Sequence, residues 1–168
     1  MILDNLGKFC TAQAITASSV QSTDVVPLGP VLRSIASGSP LFIDVNMTEA
    51  FVGDGTLLIH TWIDVGTTIA ATALFTGSTG VYTAAAGNIL SVNMLPLGGH
   101  ITIPVMPLSA GQIAWMQAVS SLAGLPYAYM GMQFELSSGT FSAGKLTAGF
   151  VADPKSVLGS HRYADAVN

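Results

Sequence analysis

Three histidines, one cysteine and nine acidic side chains are the groups in this 168-residue chain that could take part in chemistry. His60, His100 and His161 stand at spacings that match neither H-E-x-x-H nor any paired Cys-x-x-Cys arrangement, so no metal motif is present. His60 lies on the polar side of an alternating segment and reads as a surface histidine. Asp44 and Asp64 could align on neighbouring strands, as the paired carboxylates of glycoside hydrolases do. Any sheet with outward acidic residues offers such pairs, however. Asp44, Asp54 and Asp64 could meet around Ca²⁺, but they lack the dense run of oxygen ligands that ion requires. There is no G-x-S-x-G elbow, and no glycine-rich loop carries the lysine of a phosphate-binding turn. The expectation is a protein that is not an enzyme and holds no cofactor and no metal.

Cys10 has no partner for an internal disulfide, which suits folding in a reducing cytoplasm. A lone cysteine with no activating neighbour reads as a small buried hydrophobe. The opening nine residues lack a basic stretch followed by a long apolar run, so they do not read as a signal peptide. The stretch Gln112 to Met132 is interrupted by Gln117, Ser120, Ser121, Gly124 and Pro126, so it does not read as a membrane span. Neither a membrane nor a nucleic acid is an expected partner, since five basic residues against nine acidic ones form no electrostatic footprint.

Charge is scarce and unevenly placed. Only 8% of residues are charged against 50% hydrophobic, and no Asp, Glu, Lys or Arg occurs between Asp64 and Glu135. A free monomer keeps charge spread over its surface, whereas interface cores are depleted of it. A neutral Ser/Thr/Asn/Gln surface explains the gap equally well. Trp62, Trp115, Tyr82, Tyr127 and Tyr129 could form a sugar-stacking platform. The cross-strand aromatic pairing of an antiparallel sheet is the favoured reading, with contacts to a protein partner next and the sugar platform last.

The elements that must position these residues are short and alternate with period two. Pro40 to Thr48 sends Leu41, Ile43, Val45 and Met47 one way, and Asp44, Asn46 and Thr48 the other. Thr56 to Asp64 sets Leu57, Ile59 and Ile63 against His60, Trp62 and Asp64. Asp24 to Gly29, Thr67 to Phe75, Ile89 to Leu95 and Ile101 to Met106 read as further strands, the last two split by the turn Pro96-Leu-Gly-Gly99. Ala128 to Leu136 and Lys145 to Val151, joined by Ser137-Ser-Gly-Thr140, read as a hairpin. From Ser109 to Gly124 the residues Ile113, Trp115, Met116, Val119 and Leu122 recur at helical spacing. Residues 77–87 read as a loop of low complexity. The whole predicts an all-β, jelly-roll-like antiparallel β-sandwich of about eight strands with one short helix at 109–124. Residues 1–23 read as an N-terminal arm, 24–153 as the sandwich and 154–168 as a C-terminal tail.

Several blocks share a further likeness. Met1-Ile-Leu-Asp4, Ala12-Gln-Ala-Ile-Thr16 and Val25-Val-Pro-Leu-Gly29 stand near the start, and Tyr129-Met-Gly-Met-Gln-Phe-Glu-Leu136 and Thr140 to Asp153 near the end. Together they resemble the capsid cement proteins of tailed bacteriophages, Bordetella-phage type. The likeness covers the first thirty residues and the last third of the chain, and is loose between. Pro27 stands where that family often has Asp, and Ala128 where it tends to have Arg. The resemblance implies a jelly roll that forms a dimer or trimer, sits on the outer surface of a phage head and locks neighbouring major capsid protein subunits together. It brings no catalytic residue. The expected location is the virion, after synthesis in the host cytoplasm. Contacts with the capsid or with sister copies are expected from Ile2, Leu3, Leu6 and Phe9 of the arm, and from Trp62 and Tyr82. The alternatives are a carbohydrate-binding sandwich used in host adhesion, and a minor head or tail component.

Overall fold

The period-two segments become strands wherever one side can be buried. The computed structural model describes residues 7–29, 41–69, 73–78, 90–91, 95–105 and 128–151. Within them lie β1 (Lys8–Ala14), β2 (Ser19–Gln21), β3 (Val26–Gly29), β4 (Leu41–Gly53), β5 (Thr56–Asp64), β6 (Leu74–Ser78), β7 (Leu90–Ser91), β8 (His100–Val105), β9 (Ala128–Ser138) and β10 (Phe141–Val151). All pairings are antiparallel. One sheet has the order β1-β10-β4-β8, and the other runs β2-β9-β5-β6, with β3 also on β9 and β7 also on β5. The ten strands therefore fill eight lanes, four per sheet, because β2 with β3 and β6 with β7 each share one edge.

Ile43, Val45 and Met47 of β4 and Leu57, Ile59 and Ile63 of β5, expected on one side of their strands, are core residues. They share the core with Phe51 of β4, Met130, Met132 and Phe134 of β9, and Leu146, Ala148 and Phe150 of β10. Two edge-to-face ring pairs stand within it, Phe9–Phe150 at 5.0 Å and Phe51–Phe141 at 4.9 Å. Each such pair is worth about 0.5–1.5 kcal/mol beyond its buried area.

The expected hairpin is corrected. β9 and β10 follow one another through a tight turn, yet they belong to different sheets: β9 pairs with β5, and β10 with β4. β4 passes into β5 in the same way, and the two crossings lie side by side. Gly55 N–H donates to the Thr140 carbonyl at 3.1 Å, and Thr140 N–H donates to Asp54 Oδ1 at 3.0 Å. Gly139 has φ +65° here, and a Cβ on it would lie 2.5 Å from the Asp54 carbonyl oxygen. Turn residues mark where a strand stops, and they look alike whether the next strand pairs with it or crosses the core.

Two boundaries also move. The stretch Thr67 to Phe75 is not one strand: Thr67 and Thr68 lie in a bend after β5, and β6 starts at Leu74. The bend is held from β2, since Gln21 Nε2 donates to the Thr67 carbonyl at 2.9 Å and Ile69 N–H donates to Gln21 Oε1 at 3.0 Å. The turn Pro96 to Gly99 is present, with Gly99 N–H donating to the Pro96 carbonyl at 2.9 Å and Gly98 at φ +75°. A positive φ at the third position is the type II geometry that favours glycine there.

The N-terminal arm is corrected as well. β1 pairs with β10 and β2 with β9, so the sandwich begins by Lys8 rather than residue 24. Asp24 N–H closes the connection by donating to the Phe9 carbonyl at 2.8 Å. The expected helix at 109–124 and the tail at 154–168 lie outside the described residues.

Cys10 is fully buried on β1, with its thiol donating to the Leu146 carbonyl at 3.7 Å. Burial is the main cause that pushes its pKa up to about 12 from the ordinary 9.0. At pH 8 the thiol is therefore expected to react with a maleimide or disulfide reagent about a thousandfold more slowly than an exposed cysteine. Labelling in native buffer as fast as in denaturant would show that β1 is not docked.

Candidate functional site

The six residues expected to make contacts divide into two groups. Ile2, Leu3, Leu6 and Tyr82 lie outside the described residues. Phe9 and Trp62 do not reach the surface, both being 0% exposed. The expectation of an accessible contact is corrected for both.

Phe9 belongs to the core because β1 is an edge strand of the first sheet and turns this ring onto Phe150. Trp62 does lie on the side of β5 away from Ile59 and Ile63, as its position in the alternation requires. Its cross-strand partner on β9 is Gly131, and a Cβ there would fall 2.3 Å from Trp62 Cζ2. The missing side chain thus makes room for the indole against the sheet. The indole Nε1–H is buried without a hydrogen-bond partner. That arrangement costs about 1–3 kcal/mol. A sugar-stacking platform centred on Trp62 is therefore closed.

The same face of the second sheet grades from buried to open. Asp64, at 1% exposure, accepts from Val65 N–H at 2.7 Å through Oδ1. Toward the other end, His60 Nε2 lies 3.5 Å from Glu135 Oε2, with Glu135 about half exposed. Partial burial lowers the His60 pKa below 6.5, and the Glu135 carboxylate opposes this less strongly. A histidine whose folded pKa is depressed binds its proton more readily when unfolded. It thus contributes stability that is complete above pH 6.5 and is lost as pH falls from 6.5 through the folded pKa. An NMR titration of His60 is expected to show a midpoint below 6.5, falling further in Glu135→Gln. A midpoint that rises in Glu135→Gln contradicts this picture.

The first sheet turns a polar face outward. Asp44 and Asn46 of β4 lie opposite Thr102 and His100 of β8 on one side, and opposite Gly149 and Thr147 of β10 on the other. His100 Nδ1 is 3.1 Å from both Asp44 carboxylate oxygens. Beyond β10, Lys8 of β1 pairs in register with Gly149. A largely apolar dent of about 70 Å³ lies here, lined by Lys8, Asp44, Asn46, Thr147, Gly149 and Val151 together with Ala148 and Phe150. Asp44 and Asn46 were recognisable as outward residues from the alternation. Lys8, Thr147 and Gly149 were not, because nothing in a strand's own pattern says which strands will flank it.

Asp44 and Asp64 stand on opposite sheets, so they do not form a carboxylate pair. Among the described residues no three His, Cys, Asp or Glu side chains gather where a metal ion could be held. No described helix is long and apolar enough to cross a membrane. Val52 and Leu97 are the large hydrophobic residues left exposed among those described. Comparison with protein-family models and with curated proteins gives no match to this chain.

Proposed function

We propose that this chain is a capsid cement protein. It binds as a homo-oligomer to the outside of a tailed-phage head and stabilises contacts between major capsid protein subunits. One observation carries the reading. The blocks that resemble the cement family come from opposite ends of the chain, yet they are neighbours in both sheets. Gln13 and Ala14 of β1 pair with Leu146 and Lys145 of β10, and Val26 of β3 pairs with Met130 of β9. Among the described residues the likeness therefore falls on neighbouring strands and not on scattered segments.

The strand order also favours a jelly roll. First and last strands are adjacent, and the chain crosses between the sheets at β1–β2, β3–β4, β4–β5, β7–β8, β8–β9 and β9–β10, staying in one sheet from β5 to β7, as in two Greek keys wound together. Burial of Phe9 moves the contact segment toward the terminus, onto residues 1–6. A shell protein gains from repetition, since many modest contacts side by side act with avidity.

The test uses undecorated capsids, the full chain and a variant lacking residues 1–6. Full-length protein is expected to bind at hundreds of copies per head by intact-particle mass spectrometry, and the truncated form, folded by circular dichroism, to bind far less. Decoration by the truncated protein at full density removes residues 1–6 from the interface. Failure of the full chain to bind any capsid, or its recovery at a handful of copies per virion, overturns the cement reading.

A further inference from the structure

β2 is an outer strand of the second sheet, and one of its sides is paired to β9. Leu136 N–H donates to the Ser18 carbonyl and Ser22 N–H to the Met132 carbonyl, both at 2.9 Å, so Ser18 and Ser22 turn their backbone groups toward β9. By alternation Gln21 and Thr23 present theirs to the free edge. Gln13 of β1 takes two of these groups. Its Nε2 donates to the Gln21 carbonyl at 2.7 Å, and its Oε1 accepts from Thr23 N–H at 3.0 Å. Those are the two groups that one residue of a parallel neighbouring strand would bond. Gln21 repeats the arrangement one step on: its own side chain bonds the Thr67 carbonyl and Ile69 N–H, again a carbonyl and the N–H two residues later. At each amide only one orientation serves both partners, since the other sets donor against donor and acceptor against acceptor. Gln13 reaches across because β1 bulges just before it. The register with β10 shifts between Cys10 and Gln13, and Ala12 holds φ +46° with its N–H on Thr147 Oγ1 at 2.9 Å. A bulge of this kind re-aims the neighbouring side chain.

We infer that Gln13 and Gln21 form an amide relay that couples the position of β1 to the bend at 67–69 through the edge of β2. Gln13 fixes the backbone of Gln21, and the fixed backbone aims the Gln21 side chain. Without the first amide, Gln21 is held from the β9 side alone, at the end of a three-residue strand. Its long side chain then regains rotamer freedom at the expense of its two bonds to the bend. The bend depends on that reach. Thr67 and Ile69 stand between β5, which ends at Asp64, and β6, which starts at Leu74, so the ladder of those strands does not hold them. The relay thus joins the first sheet, the second sheet and the opening of the segment without Asp, Glu, Lys or Arg. Displacement of β1 loosens the bend without any contact between the two. The coupling does not depend on the cement reading.

The experiment is amide hydrogen exchange by NMR on the full chain, native and carrying Gln13→Ala, Gln13→Glu, Gln21→Ala, or both alanines. In Gln13→Ala, exchange should speed about fivefold at Thr23, which loses its acceptor, and also at Ile69, whose acceptor is Gln21. Gln13→Glu keeps an acceptor for Thr23 N–H but cannot donate to the Gln21 carbonyl, so it should protect Thr23 and still expose Ile69. Gln21→Ala should expose Ile69, and adding Gln13→Ala should expose it no further. Amides of the β4–β10 ladder should exchange at the native rate in every variant. Faster exchange at Thr23 alone in Gln13→Ala overturns the relay and leaves two independent braces. Unchanged exchange at both positions overturns it as well. So does a proportional rise that includes the β4–β10 ladder, because that reports a general loosening of the sandwich.

Discussion

Replacing Gly131 with alanine is expected to destabilise the protein by about 3 kcal/mol or more, at the upper end of what overpacking costs. The added Cβ would lie 2.3 Å from Trp62 Cζ2 and 2.6 Å from Cε2, and the contact is with a rigid ring rather than a flexible chain end. The indole cannot move without opening the packing that keeps it fully buried. Neither strand can give way easily, since β5 and β9 pair in register from Ile63↔Met130 to Leu57↔Leu136 on either side of this point. A double substitution separates this cause from a general intolerance of β9. Trp62→Leu removes the ring and its unpaired Nε1–H together, so Gly131→Ala should cost much less in that background than in the native chain. Chemical denaturation of the four proteins measures the cycle. An unchanged midpoint for Gly131→Ala alone would falsify the close approach.

Phe9→Ala is expected to cost about 3–5 kcal/mol, the usual range for emptying a buried phenylalanine site. Against a total stability of roughly 5–15 kcal/mol for a domain, that loss leaves little margin. The ring is fully buried, stands edge-on to Phe150 at 5.0 Å, and fastens β1 to the core side of β10. Two conventional bonds support the same strand from outside the ladder, Asp24 N–H to the Phe9 carbonyl and Ile15 N–H to the Gly144 carbonyl. Removal of residues 1–14 should therefore prevent folding, whereas removal of residues 1–6 leaves β1 whole. If Phe9→Ala melts within a degree or two of the native protein, β1 is an arm after all.

Both results bear on how the proposed capsid contact would be dissected. A deletion of residues 1–23 would unfold the sandwich, and any loss of capsid binding in it would say nothing about contact. The shorter deletion leaves every described strand whole. The same reasoning applies to Trp62: its substitution tests packing against Gly131 and not recognition of a partner or a glycan.

Much of the fold was legible because period-two alternation is a local property. Along β4, Ile43, Val45 and Met47 are buried while Asp44 and Asn46 between them stay partly exposed, as the order of residue types requires. Gly98 and Gly139, both at positive φ, mark turns that their residue type announces. The candidate dent was half legible. Asp44 and Asn46 were placed outward by their own strand, but Lys8, Thr147 and Gly149 were brought beside them by pairings of β1, β10 and β4 across more than ninety residues of chain.

By itself, then, the amino-acid order determined an all-β chain, the inward and outward side of each well-alternating strand, the turns, and a middle without charge. Only the tertiary structure decided which strands pair, that β4 to β5 and β9 to β10 cross between sheets, that Phe9 is core, and that Trp62 is covered. The reason is physical. Alternation constrains the two faces of a strand and is silent about its two edges, where backbone hydrogen bonds are the same for every residue except proline. The choice of neighbour is made by the global packing of side chains, such as an indole fitting only over a glycine, and that choice is not written in any one segment.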